Sequence, residues 1–160
     1  MNGLDNSFTV RRATAADLDS MVAIWLETAE MLARADRRIR IAPQGESLWR
    51  AAMMGYLARD DMAVFLADRR GSAIGYLVGA VVNNPGFIPD RSGLVQELAV
   101  DSHGKAGGIG RELVHSFRGW LAERQITAIE ARVPVMHPVA QAFWRASGAD
   151  TLFEHMRVRR

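Results

Sequence analysis

The chain has 160 residues, 49% of them hydrophobic and 24% charged, with a formal net charge of +2 and no cysteine. That is the size and composition of one compact globular domain, and it argues against a disordered chain. The missing cysteine excludes disulfides, thiolate metal sites and a cysteine nucleophile, no apolar run is long enough to cross a bilayer, and the opening Met1–Asp5 lacks the basic-then-apolar pattern of a signal peptide.

The expectation is a cytoplasmic protein of one domain, residues 1–160, with no membrane partner. Arg11-Arg12, Arg37-Arg38-Arg40, Arg69-Arg70 and Arg157-Arg159-Arg160 are scattered rather than gathered, so no nucleic-acid partner is expected.

Phe8 to Arg11 reads as a short first strand. Thr14-Ala15-Ala16-Asp17 reads as a helix start, with the threonine hydroxyl accepting from free first-turn amides and Asp17 at the positive end of the dipole. Leu18, Met21, Val22, Trp25, Leu26 and Ala29 follow at helical spacing into the mid-thirties. Arg37 to Gly45 is a loop, and Glu46 to Ala58 a second helix. Met62–Ala67 and Ala73–Val82, joined by Arg69-Arg70-Gly71-Ser72, read as a hairpin. Asn83-Asn84-Pro85-Gly86 is turn chemistry. Leu94–Val100 is a strand, followed by a Gly-rich turn and an amphipathic helix to about Arg124 carrying Ile109, Leu113, Phe117, Trp120 and Leu121. Ile126–Val133 is the next strand. A short helix starts at Pro138 and stops at Gly148, and Thr151–Val158 is a last strand. The order is β-α-α-β-β-β-α-β-α-β, a mixed α/β chain. Its Leu94–Val133 unit should set two parallel strands side by side with a right-handed crossover.

The stretch Leu94–Gly110, LVQELAVDSHGKAGGIG, carries the most chemistry. A strand enters a turn of four glycines and a long helix leaves it. A helix start has unsatisfied amides and partial positive charge, and glycine lets backbone approach a ligand. Together they suit a phosphate, and Lys105 adds a full charge. The turn lacks the Gly-Lys-Ser/Thr ending of a nucleotide P-loop and the Gly-x-Gly-x-x-Gly dinucleotide run. From the turn alone, an anion cradle and a merely flexible connection both stand.

Lys105-Ala106-Gly107-Gly108-Ile109-Gly110 resembles the pyrophosphate-binding turn of the GCN5-related N-acetyltransferases (GNAT family). Glu97-Leu98-Ala99-Val100 resembles that family's fourth strand, Val10–Thr14 with Asp17 its start, and Ala140, Phe143, Trp144 and Gly148 its fourth-helix pattern. The resemblance covers nearly the whole chain. It implies a GNAT-like fold: a central twisted, mostly antiparallel sheet with a splayed parallel strand pair and flanking helices. It implies an acetyl-CoA-dependent N-acetyltransferase acting directly on a primary amine of a small molecule or a protein N-terminus. The amides of Lys105, Ala106, Gly107, Gly108, Ile109, Gly110 and Arg111 would cradle the pyrophosphate. Leu98, Ala99 and Val100 would line the wedge between the splayed strands, Leu98 and Val100 pairing through backbone with the pantetheine arm. An amide there would stabilise the developing oxyanion. Dimers are common in families of this kind, so a homodimer is an open expectation.

Three departures matter. Lys105 stands for the usual arginine or glutamine and loses the planar fork. His137 stands where asparagine is frequent. Trp144 occupies the position of the tyrosine that often protonates the departing thiolate, and an indole N–H is a donor without useful acidity. Trp144 keeps a second reading open, an inactive acyl-CoA-binding sensor of the same fold.

The amine must lose a proton. Glu97, inside an apolar strand, is the first candidate base, since desolvation would raise its pKa; the alternative is a salt-bridged strand carboxylate. Glu130, in Ile129-Glu130-Ala131-Arg132, resembles a glutamate base of ribosomal-protein N-acetyltransferases, or pairs with an arginine on a solvent face. His137 is an acid or shuttle, or a cap before Pro138. Tyr76 is a substitute acid or a core tyrosine. Trp25, Trp49 and Trp120 read as core, and the four histidines give no metal site. By resemblance the acceptor site is lined by Met31–Trp49, where Arg34, Arg37, Arg38 and Arg40 face Glu30, Asp36 and Glu46. That basic rim suits an anionic or carboxylated amine, or is a solvated loop.

Overall fold

The computed structural model describes residues 7–102 and 107–158. A five-stranded sheet has the order β1 (Thr9–Arg12), β2 (Met62–Arg69), β3 (Ser72–Asn83), β4 (Arg91–Val100) and β5 (Ile129–Ala131). The first four strands pair antiparallel, and β4 and β5 pair parallel. Helices α1 (Leu18–Ala35) and α2 (Gly45–Leu57) cover one face, and α3 (Ile109–Ala122) covers the other. The helix α4 (Pro138–Ala146) follows β5.

The alternation along β3 builds both cores. Tyr76, Val78 and Ala80 face α1 and α2 with Met21, Val22, Trp49 and Met53, while Leu77 faces α3 with Leu113, Phe117 and Leu121. Glycine sets how close α3 comes. A Cβ on Gly75 would lie 3.0 Å from Ile109, one on Gly79 would strike the Phe117 ring, and one on Gly93 would strike Leu121. Successive turns of α3 therefore rest on bare backbone, which fixes where its N-terminus points.

Three expectations need correction. The chain enters α1 through a single 3-10 turn, Ala15–Asp17. There the Thr14 hydroxyl accepts from the Asp17 backbone amide in a capping box and also donates to Asp17 Oδ2 (2.9 Å), and Arg11 adds to that carboxylate's partners at 2.7 and 2.9 Å. The strand expected over Ile126–Val133 is only Ile129–Ala131, because its ladder with β4 stops at Val95. Thr151–Val158 is extended but no strand: no ladder pairs it, and Leu152, Phe153, Met156 and Val158 stay exposed. Arg157 Nη1 anchors it, donating to the Arg38 carbonyl at 2.7 Å.

Candidate active site

The sheet opens between β4 and β5. β4 pairs with β5 only at Gly93, Leu94 and Val95, and the last bond runs from Arg132 N–H to the Val95 carbonyl at 3.0 Å. From Glu97 to Val100, β4 keeps its partner in β3 but has no ladder toward β5. Leu98, Ala99 and Val100 lie on this free edge. Leu98 and Val100 turn side chains to the α3 core, and Ala99 turns to the opposite core.

A bulge decides where Glu97 goes. Val78 pairs with Glu97 but Gly79 pairs with Val95, so Gln96 is an extra residue in β4. Val95 faces α3; without the bulge Glu97, two residues on, would face it too. Instead Glu97 lies on the α1–α2 side. Its Oε2 accepts from Tyr76 Oη at 2.8 Å and from Trp49 Nε1 at 3.2 Å. Trp49 in turn stacks on half-buried Trp25, ring centroids 5.6 Å apart. Burial pushes the Glu97 carboxyl above its ordinary value, and the two donors pull against that shift. Burial and the Glu97 charge push the Tyr76 phenol far up, so Tyr76 stays a donor.

The start of α3 lies at the same end of β4. Gly108 precedes the helix at φ +74°, a left-handed conformation natural to glycine, and among the described residues no side chain caps the helix. A helix start of this kind offers its first amides to an anion. Ile109 is core, so only its backbone is on offer. Gly107 and Gly108 are exposed. Gly110 packs where a Cβ would meet Phe143 at 3.3 Å and Leu98 at 4.0 Å. Arg111 lines a recess between α3 and α4, together with His115, Arg118, Phe143 and Ser147. Lys105 and Ala106 lie outside the described residues.

The remaining candidates stand apart from Glu97. Glu130 is half-buried at the register of Leu94 and makes no hydrogen bond with Glu97. His137 caps α4, its Nδ1 accepting from Ala140 N–H at 3.2 Å. Trp144 packs edge-on against Phe143. Near the end of α1 Arg34 pairs with Glu30, and in the loop that follows Arg38 pairs with Asp36. No cluster of metal-ligating side chains occurs among the described residues. What the sequence did not reveal is that Trp49 and Tyr76, read as core, both end on Glu97. The one signal for it was a lone carboxylate in an apolar strand of a chain rich in tryptophan.

The acetyltransferase (GNAT) family model matches residues 24–149. The chain belongs to that family. No curated protein matches this acetyltransferase. Among solved structures, the BH1408 protein of Bacillus halodurans, as a tetramutant, is 20% identical with a TM-score of 0.84, covering 95% of this chain and 99% of that one. The ribosomal-protein-alanine N-acetyltransferase of Brucella melitensis biovar Abortus 2308 is 13% identical with a TM-score of 0.77, covering 96% and 100%. Aminoglycoside N-acetyltransferase AAC(6')-Iy, in complex with CoA, is 14% identical with a TM-score of 0.75, covering 96% and 95%. At these identities the likeness is one of fold. The GNAT family uses acetyl-CoA, and two features of this acetyltransferase fit such a molecule: an uncapped helix start behind a left-handed glycine, and a strand edge free beyond Val95.

Proposed function

We propose that this acetyltransferase moves an acetyl group from acetyl-CoA directly to a primary amine, carried by a small molecule or a protein N-terminus. The observation that carries the reading is a partly buried carboxylate, Glu97, two residues beyond the point where β4 and β5 part. Acetyl-CoA supplies an acyl group activated as a thioester. The amides of residues 107–111, with Lys105 and Ala106 before them, hold its pyrophosphate. The free edge at Leu98–Val100 pairs with its arm and offers an N–H to the acyl oxygen. Glu97 takes the proton that the attacking amine loses. Glu130, on the same face of the sheet, is the second candidate for that role, and His137 serves by holding α4. With Trp144 a poor acid and Tyr76 committed to Glu97, the departing thiolate takes its proton from water.

The reading extends to a single catalytic domain over residues 1–160, working in the cytoplasm as a homodimer. The exposed Leu152, Phe153, Met156 and Val158 support self-association. Titration calorimetry with acetyl-CoA and with CoA tests the core of it. Binding at about micromolar Kd, weakened about tenfold by Gly108→Ala, is expected, followed by thiol release in the presence of amines. Absence of binding to both ligands would sink the proposal. Binding with no turnover on any amine would leave an acyl-CoA-binding module.

A further inference from the structure

We propose that Trp49 and Tyr76 are positioning residues: they hold Oε2 of Glu97 from two sides and leave Oε1 as the oxygen that meets the amine. The proposal rests on Glu97 as the base.

Both donors converge on one oxygen, at 3.2 Å from the indole and 2.8 Å from the phenol. A carboxylate oxygen offers two lone-pair sites, and both sites on Oε2 are filled. Oε1 has no hydrogen-bond partner among the described residues and keeps some access to solvent. The terminal torsion of a glutamate is broad. Unclamped, Glu97 would present either oxygen over a range of directions.

The clamp is rigid. Trp49 is 7% exposed and Tyr76 is 1% exposed. Trp49 is stacked on Trp25 and edge-on to Tyr76, with ring centroids 5.7 Å apart in the second pair. The clamp is also uncharged. From β3 the only titratable group facing Glu97 is Tyr76, and α1 and α2 present Trp25 and Trp49. The ion pairs of Arg50 with Asp19 and Glu46 are exposed, and Glu130 on β5 sits at the register of Leu94. An arginine in this place would fix the carboxylate equally well but would drain its basicity. Two neutral donors orient it and leave it a base.

The first test uses the wild-type protein. The indole Nε1–H resonance of Trp49 is followed by NMR across pH. It should inflect at the pH where the acid limb of kcat/KM falls, and the inflection should be absent in Glu97→Gln. A flat Trp49 resonance in the wild type would overturn the clamp. The second test compares Trp49→Phe and Tyr76→Phe, which keep the rings and remove one donor each. Each should lower kcat about tenfold with acetyl-CoA affinity unchanged, and shift the acid limb to higher pH. Folded variants whose acid limb stays in place would overturn the proposal, since a packing role alone would not move it. A variant that fails to fold leaves the wild-type resonance to decide. Undiminished turnover in Glu97→Gln would strike down the base reading instead, while the Trp49 inflection would still report the clamp.

Discussion

In the role proposed for it, Glu97 pulls stability and activity in opposite directions. Its folded-state pKa is raised by burial, so the native state holds this proton more tightly than the unfolded chain does. Its contribution favours folding at pH below the unfolded value and is lost as pH rises through the raised folded value. In its proposed role as a base it would work only above that folded value. Glu97→Gln should therefore lower turnover by about 100-fold while leaving acetyl-CoA affinity intact. Its melting temperature near neutral pH should exceed that of the wild type, and that margin should shrink on acidification. Paired pH series of turnover and thermal melting check both signs. A drop in melting temperature at neutral pH would mean that the charged form is not the costly one. The residue itself was legible, because a single carboxylate interrupts the run Leu94–Val100. Its partners were not. Trp49 is 48 positions away and Tyr76 is 21, and nothing local ties an indole on a helix to an acid on a strand.

Helix α3 depends on what the sheet leaves out. Gly79 lies under the Phe117 ring and Gly93 under the tip of Leu121. Gly79→Ala must displace a rigid, fully buried ring, and should cost about 1–3 kcal/mol, which is about 2–4 °C of melting temperature per kcal/mol in a domain of this size. Gly93→Ala meets the flexible end of a leucine and should cost less. Thermal denaturation of the two variants ranks them, and equal melting temperatures would show that α3 can lift off the sheet at little expense. Periodicity announced α1, α2, α3 and the β2–β3 hairpin, since each buries one face over several turns or residues. The glycine pair in Gly75-Tyr76-Leu77-Val78-Gly79 was readable as a same-face spacing, but what it clears room for is fixed by a helix thirty residues later. The segment over Thr151–Val158 failed as a strand for a related reason. β-propensity reports a surface that fits a sheet, and β5 is three residues long with its ladder used by β4.

At the scale of the whole molecule, two apolar layers enclose the sheet, and an apolar strip after α4 is among the hydrophobic side chains left outside. Leu152, Phe153, Met156 and Val158 are 67%, 81%, 77% and 90% exposed, on an extended segment that follows α4. If a second copy covers this strip, light scattering at micromolar concentration should give twice the chain mass. Phe153→Glu should then return the protein to 17.7 kDa without unfolding it. A wild type that stays at single-chain mass at every concentration would dismiss the homodimer. The α1–α2 loop reaches the same segment through the bond from Arg157 to the Arg38 carbonyl. Any pairing of two chains would therefore bear on the basic rim where an acceptor would enter.

The extra residue at Gln96 makes the site a matter of parity. Counting along β4 in twos from Val95 reaches Glu97, and odd positions belong to one side of the sheet until the count is broken once. Every residue of the site could be kept and the site still lost by deleting one neutral glutamine. Insertions and deletions in β4 are thus far more dangerous to this enzyme than substitutions.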